Sequence, residues 1–214
     1  MLSDRSDKVS IMEPRLDSSS ITRRLLFDIS FQELPTFLDY WSSKYNDPNK
    51  RDETFYDPHV GKADLRTDEG AILDLFTWKN GMVLSERKKE SVLENYFRTW
   101  TEDGDLVSRY LNPKEENRGG RTWNIFYLHC RAPAHYPIFD QHARRAMIYI
   151  QSKIIWKPPI NESRGDFYTT YLDDYMPFVA KCGGEIRTVD RALYTFGRFL
   201  KLVQPYTDIQ PQLS

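Results

Sequence analysis

The feature that most constrains this 214-residue chain is a run of apolar residues at Val189, Leu193, Phe196, Leu200 and Val203. Their spacing of three and four puts one side chain per turn on a single helical face, and no pleated strand can bury that set together. The rhythm recurs upstream. Leu34, Phe37, Leu38, Trp41 and Tyr45 predict a helix from about Phe31 to Lys44, opened by a Ser30/Glu33 capping box. Ile72, Leu75 and Phe76 predict a second helix over Glu69 to Trp78, stopped by Asn80-Gly81. Ser85 caps a third, Glu86 to Trp100, and a short helix is expected over Leu106 to Leu111. Trp123, Phe126, Tyr127 and Cys130 mark the next. Ala143, Met147, Ile150 and Ile154 mark one opened by Asp140 and ended by Pro158-Pro159. A helix over Phe167 to Lys181, bent at Pro177, closes at Gly183-Gly184, and the last runs from Glu185 until Pro205 ends it. No convincing alternating pattern appears. The expectation is an all-α protein, with a mobile tail over residues 1–20, one helical domain over 21–214, and a long charged loop from Asn46 to Asp68.

With 40% hydrophobic and 14% aromatic residues, the chain has the means to build a packed core. A formal net charge of -1 does not advertise a nucleic-acid partner, but the charge is unevenly spread. From Lys79 to Lys157 there are 14 basic and 9 acidic residues, a balance of +5, against 16 and 22, or -6, elsewhere. A basic central section is the footprint expected under a phosphate backbone, although chance clustering on a solvated surface gives the same count. Within it, Lys88 and Lys89 sit in a first helical turn, where the helix dipole disfavours cations, which points to an anionic partner as readily as to an ordinary exposed face. Two cysteines without paired spacing and four histidines without ligand spacing predict no metal site. The absence of a secretory leader or a long apolar run predicts a reduced, cytoplasmic protein with no membrane contact.

Two neighbouring stretches carry chemistry. Arg118-Gly119-Gly120-Arg121-Thr122 leads into a helix through two glycines, a start at which exposed backbone N–H groups can meet a phosphate. Tyr136-Pro137-Ile138-Phe139 is a short extended lead-in to Asp140, and Arg144 and Arg145 follow on the helix it opens. An aspartate there is a good N-cap, worth about 1 kcal/mol, and needs no catalytic explanation. The same position keeps the carboxylate ionised. It then suits a group that stabilises a developing cation or guides a water, as cleavage at C1 of a sugar requires.

These residues resemble the helix-hairpin-helix DNA glycosylases. In that family a glycine hairpin, Gly-Val-Gly-Arg-Lys in many members, precedes a catalytic aspartate in a Val-Asp-Thr-His-Val-x-Arg pattern. Gly120 and Arg121 match the last Gly and the Arg of the hairpin. Phe139-Asp140-Gln141-His142 matches the aspartate motif, and Arg145 its trailing Arg. The family's catalytic lysine falls on Thr122, 18 residues before Asp140. The likeness covers about residues 117–150, within a central segment over 117–157, and no iron-sulfur cysteines follow. Trp78-Lys79-Asn80-Gly81 and Tyr136 to Asp140 resemble small bacterial relatives, among them glycosylases of defence against phages with sugar-bearing cytosines.

The resemblance implies a two-lobed helical glycosylase fold with a degenerate hairpin, and Asp140 as the catalytic group. It implies DNA contacts from Arg118, Gly119, Gly120, Arg121, Thr122, Arg144, Arg145, Lys88 and Lys89. Trp78, Trp123, Tyr127, His129 and His142 are the candidates for the base pocket, though Trp123 and Tyr127 also fit a core stripe. Thr122 lacks the amine that condenses with C1, so release of a flipped base without strand cleavage is expected. Double-stranded DNA, including modified phage DNA, is the implied partner of a monomer. No cofactor is implied beyond a monovalent cation at the hairpin. Two other readings stay open: a DNA-binding module of the same fold without catalysis, and a helical nucleotide- or protein-interaction domain.

Overall fold

A computed structural model of the chain describes residues 34–45, 53–100, 102, 106–112 and 119–207. The tail over 1–20, the Ser30/Glu33 capping box and Arg118 lie outside the described residues. The described residues are mostly helical, with no strand among them. The elements in order are α1 (Leu34–Ser43), α2 (Glu69–Asn80), α3 (Glu86–Val92), α4 (Leu106–Tyr110), α5 (Arg121–Arg131), α6 (Gln141–Ser152), α7 (Arg164–Thr169), α8 (Met176–Cys182) and α9 (Ile186–Thr207). No helix among the described residues is long and apolar enough to cross a membrane.

Local chemistry explains where the elements begin and end. Asp68 opens α2 by accepting the Ala71 N–H at 2.9 Å, and Gly81 closes it by donating its N–H to the carbonyls of Thr77 and Trp78. α3 passes into a π-helical segment, Leu93–Phe97, which turns Tyr96 into the core. There its hydroxyl donates to the Asn124 side chain at 2.7 Å. Asn124 in turn donates to the Tyr110 carbonyl and the Tyr168 hydroxyl, so one buried amide joins α4, α5 and α7.

α9 is the spine expected from its stripe. Phe196 meets Phe37 and Trp41 of α1 with ring centroids 4.9 and 5.1 Å apart. On its α6 side Gly197 lets two backbones touch, since a Cβ there would lie 1.9 Å from the His142 carbonyl oxygen. α5 runs through the middle and is buried on every side from Asn124 to Cys130. The buried apolar residues other than Leu93 form one continuous cluster.

Four expectations change. α6 ends at Lys153, which takes a left-handed conformation (φ 61°), so Ile154 leaves the buried stripe and is 63% exposed. The irregularity between α7 and α8 is a π-helical segment, Thr170–Tyr175, ahead of Pro177. A proline lacks the N–H and crowds the carbonyl four residues back, here that of Asp173 inside this segment. α9 continues through Pro205 to Thr207, because the carbonyl that Pro205 deprives is that of exposed Lys201 in the final turns. The described part of the Asn46–Asp68 loop holds two 3-10 turns, Glu53–Phe55 and Ala63–Arg66, and buries Tyr56.

Helix propensity alone favours alanine over glycine by about 1 kcal/mol in a helix interior. For Gly197→Ala the contact with α6 reverses the sign. A loss of about 1–3 kcal/mol is expected in urea denaturation, as for an overpacked core. Unchanged or raised stability would show that α6 and α9 do not touch there.

Candidate functional site

The site is built around a carboxylate at a helix start. Asp140 has an extended backbone (φ -142°, ψ -178°), and its Oδ1 accepts the N–H groups of His142 at 2.8 Å and Ala143 at 3.1 Å. Its Oδ2 lies 3.5 Å from Nζ of Lys79, on the last turn of α2. The Lys79 side chain is 6% exposed and its ammonium also stands 5.5 Å from the centre of the Phe126 ring. Burial alone would raise the Asp140 carboxyl; Lys79, the His142 ring and the two backbone amides outweigh it and hold the group below its ordinary value. Asp140 is therefore an anion at neutral pH.

The extended lead-in is held from all sides, as buried irregular backbone must be. The Ile138 N–H donates to both oxygens of Asp190, at 3.2 and 3.3 Å. The carbonyls of Pro137 and Ile138 accept from the hydroxyls of Tyr171 and Tyr175, both in the π-helical segment before α8. The Tyr136 carbonyl lies 2.7 Å from His129 Nδ1. A carbonyl only accepts, so Nδ1 carries the hydrogen and Nε2 accepts from the Tyr56 hydroxyl, 2.5 Å away. Burial pushes His129 down to about 3, which keeps it neutral.

Three spaces meet at Asp140. A cavity of about 20 Å³, lined among others by Asp140, Asp190, Lys79 and Trp78, has room for about one water. An open groove of about 730 Å³ is walled by Thr122 and Trp123 of α5, Gln141 and His142 of α6, and Tyr194, Arg198 and Lys201 of α9, with Lys79 and Asp140 also lining it. A side cavity of about 190 Å³ lies toward Arg121, Arg144, Trp156 and Glu162. His142, pushed down by burial, receives a hydrogen bond on Nδ1 from Arg145.

The structure thus brings together Asp140, Thr122, Trp123, His142 and Trp78. It separates others from them. Tyr127 is fully buried between Tyr96 and Tyr110, and His129 is bound by Tyr56 and Tyr136, so both are core residues and not part of a base pocket. Arg145 is 1% exposed and donates to the carbonyls of Trp156 and Gly197, which removes it from any phosphate. Arg144 and Arg121 both pair with buried Glu162, Arg144 also stacking on Trp156 and Arg121 on Phe167. Lys88 binds the Asn80 side chain at 2.9 Å, and Lys89 binds Glu86 at 2.8 Å. Gly119 has a packing reason to be glycine, since at φ 65° a Cβ would meet the Tyr96 hydroxyl at 2.0 Å. Gly120 faces open space.

Lys79, Asp190, Arg198 and Lys201 were not expected here. Lys79 leaves a readable trace. It follows Ile72, Leu75 and Phe76 at helical spacing, so it falls on the buried face of α2, where an unpartnered lysine is costly. No protein-family model, curated protein sequence or solved structure matches the chain.

Asp190 gives the site a pH signature. Burial raises its carboxyl from 3.8 to about 8, against the pull of the Ile138 N–H and Arg187. Between those values the folded state keeps a proton that the unfolded chain releases, so stability falls as pH rises, by at most about 1.4 kcal/mol per pH unit. Asp190→Asn keeps an acceptor for Ile138 without the proton. It is expected to flatten the decline between pH 3.8 and about pH 8 in urea midpoints. An unaltered slope would assign the decline to another group.

Proposed function

We propose that the protein is a DNA glycosylase that hydrolyses the N-glycosidic bond of a flipped, modified base and leaves an abasic site. The observation that carries this reading is Asp140: a carboxylate kept ionised at a helix start, where a one-water cavity opens beside a wide groove. Breaking the bond from C1′ to the base builds positive charge on the sugar, which a fixed anion stabilises without reorganising. A water in the small cavity, next to Asp140, attacks C1′ as the base departs. At Thr122 a hydroxyl stands where the resembled family has its lysine, which leaves water as the attacking group in base release.

The groove suits an extruded base. Trp123 and Tyr194 offer aromatic surface, His142 is a neutral hydrogen-bonding group, and the volume accommodates a base with a bulky substituent such as a sugar. Phosphate contacts fall to Arg198 and Lys201 on the groove, and to the open helix start at Gly120. Met82 and Val83, 69% and 80% exposed on the turn after α2, are apolar side chains available to fill the gap an extruded base leaves. A two-lobed arrangement of the fold and a role in defence against phages with sugar-bearing cytosines belong to the same reading.

The test incubates the protein with plain genomic DNA and with heavily modified phage DNAs, and counts aldehyde-reactive abasic sites. Sites are expected on modified DNA. Asp140→Asn should lower their formation by on the order of 10³-fold, with DNA binding retained. Full activity in that variant would sink the assignment. Salt-sensitive binding without abasic sites would identify a non-catalytic DNA-binding module, and absent or salt-independent binding a protein- or nucleotide-interaction domain.

A further inference from the structure

Asp190 is the second carboxyl on the cavity beside Asp140. It lies on α9, 4% exposed, and has no ion pair among the described residues: Lys79 faces Asp140, and Arg187 faces Glu53. A buried carboxyl without a counter-charge keeps its proton, because the anion would be left uncompensated. That proton needs an acceptor. Both hydrogen bonds at Asp190 come from one donor, the Ile138 N–H, and the carboxyl accepts in each. Among the described residues no group takes the Asp190 hydrogen. What adjoins it is a space of about 20 Å³, room for about one water, with Asp140 on the same wall.

A water in that space accepts from Asp190 and donates to Asp140, which leaves one lone pair unused. We propose that Asp190 is a positioning residue for base release: its carboxyl O–H holds the cavity water so that the remaining lone pair faces C1′. This rests on the glycosylase reading for the place of the sugar. The water oxygen bonds to C1′ as the C1′–N bond breaks, and the base leaves with the bonding pair. A water bonded to a cationic carbon is a strong acid, so even a carboxylate held below its ordinary value accepts its proton. Asp140 then returns that proton to solvent, from which the base is protonated. Asp190 keeps its own proton throughout. Once ionised it only accepts, so the water turns and the attack loses its direction. The groups facing Asp190 set when this happens. Burial pushes it up to about 8, while the Ile138 N–H, Arg187 on the same helix and Lys79 of α2 pull it down, and Asp140 pushes it up. Tyr56, Tyr171 and Tyr175 also sense its charge; burial pushes all three above the ordinary phenol value, so they stay neutral over this range.

The experiment measures single-turnover base release by the full chain on heavily modified phage DNAs, across neutral and mildly alkaline pH. Folding is checked by circular dichroism at each pH. The rate is expected to fall about tenfold between pH 7 and pH 9, as loss of one essential proton near pH 8 requires. Asp190→Ala should lower the rate at neutral pH by about tenfold, the worth of one hydrogen bond. Asp190→Asn returns an acceptor for Ile138 and an N–H for the water. It should recover most of that loss and show no alkaline decline. A crystal structure of the free protein tests the same arrangement without substrate or variant: a water within hydrogen-bond distance of both Asp140 and Asp190 is expected. A rate that holds to pH 9, a decline that persists in Asp190→Asn, or a cavity without that water overturns the proposal and leaves base release by Asp140 intact. No abasic sites on any of the DNAs would end both together.

Discussion

The structure depends on keeping one carboxylate charged in a nearly dry place. Bringing an anion out of water costs several kcal/mol unless charge and hydrogen bonds replace the solvent. Asp140 receives both, two backbone N–H groups on one oxygen and the Lys79 ammonium near the other. The arrangement joins elements far apart in sequence, because Lys79 ends α2 and Asp140 begins α6. Each partner would be unfavourable without the other, so the contact fixes the end of α2 against the start of α6.

That contact requires the chain to reach Asp140 in an extended conformation through the interior. The supports come from distant elements: His129 of α5, Asp190 of α9, and Tyr171 and Tyr175 from the turn before α8. The π-helical segment that presents the two tyrosines is therefore more than a defect around Pro177. Its wider turn directs both hydroxyls at the carbonyls that need donors. Asp190, protonated up to about pH 8, accepts an N–H without adding a second full anion beside Asp140. Two aspartates near one cavity thus have different charge states, set by what surrounds each.

The helices and their order were legible because most of them bury one stripe, and α9 shows this most clearly. Their ends were less so: Lys153 takes a left-handed conformation that stops α6, while Pro177 and Pro205 are both accommodated within helices. Asp140 was legible as the cap of α6, which the structure shows, and as a candidate site because that position also keeps its carboxylate ionised. Tyr127 and His129 were misplaced because α5 is buried on all sides, and a helix with no exposed face offers no periodic cue to which polar residue serves function. Arg144 and Arg145 counted as basic surface because sequence does not reveal that a carboxylate 18 residues later, Glu162, pairs with Arg144, or that the carbonyls of Trp156 and of Gly197 in α9 accept from Arg145. Lys79 was read as part of a motif and not as a group. Its place on an apolar stripe was the available signal.

Glu162 has a consequence for the electrostatics of this face. It bridges Arg121 and Arg144 from a buried position, so the side cavity already holds its own counterion. An anion arriving there does not meet two bare guanidiniums; it has to exchange with a tethered carboxylate whose local concentration never falls. Such a site rewards ligands that fit better than Glu162, and it adds little to the general attraction for polyanions that an open arginine pair would give. The basic residues counted along the sequence are thereby divided into two kinds. Some radiate charge into solvent, and others are neutralised within the fold, where they act as joints between α5, α6 and the segment before α7.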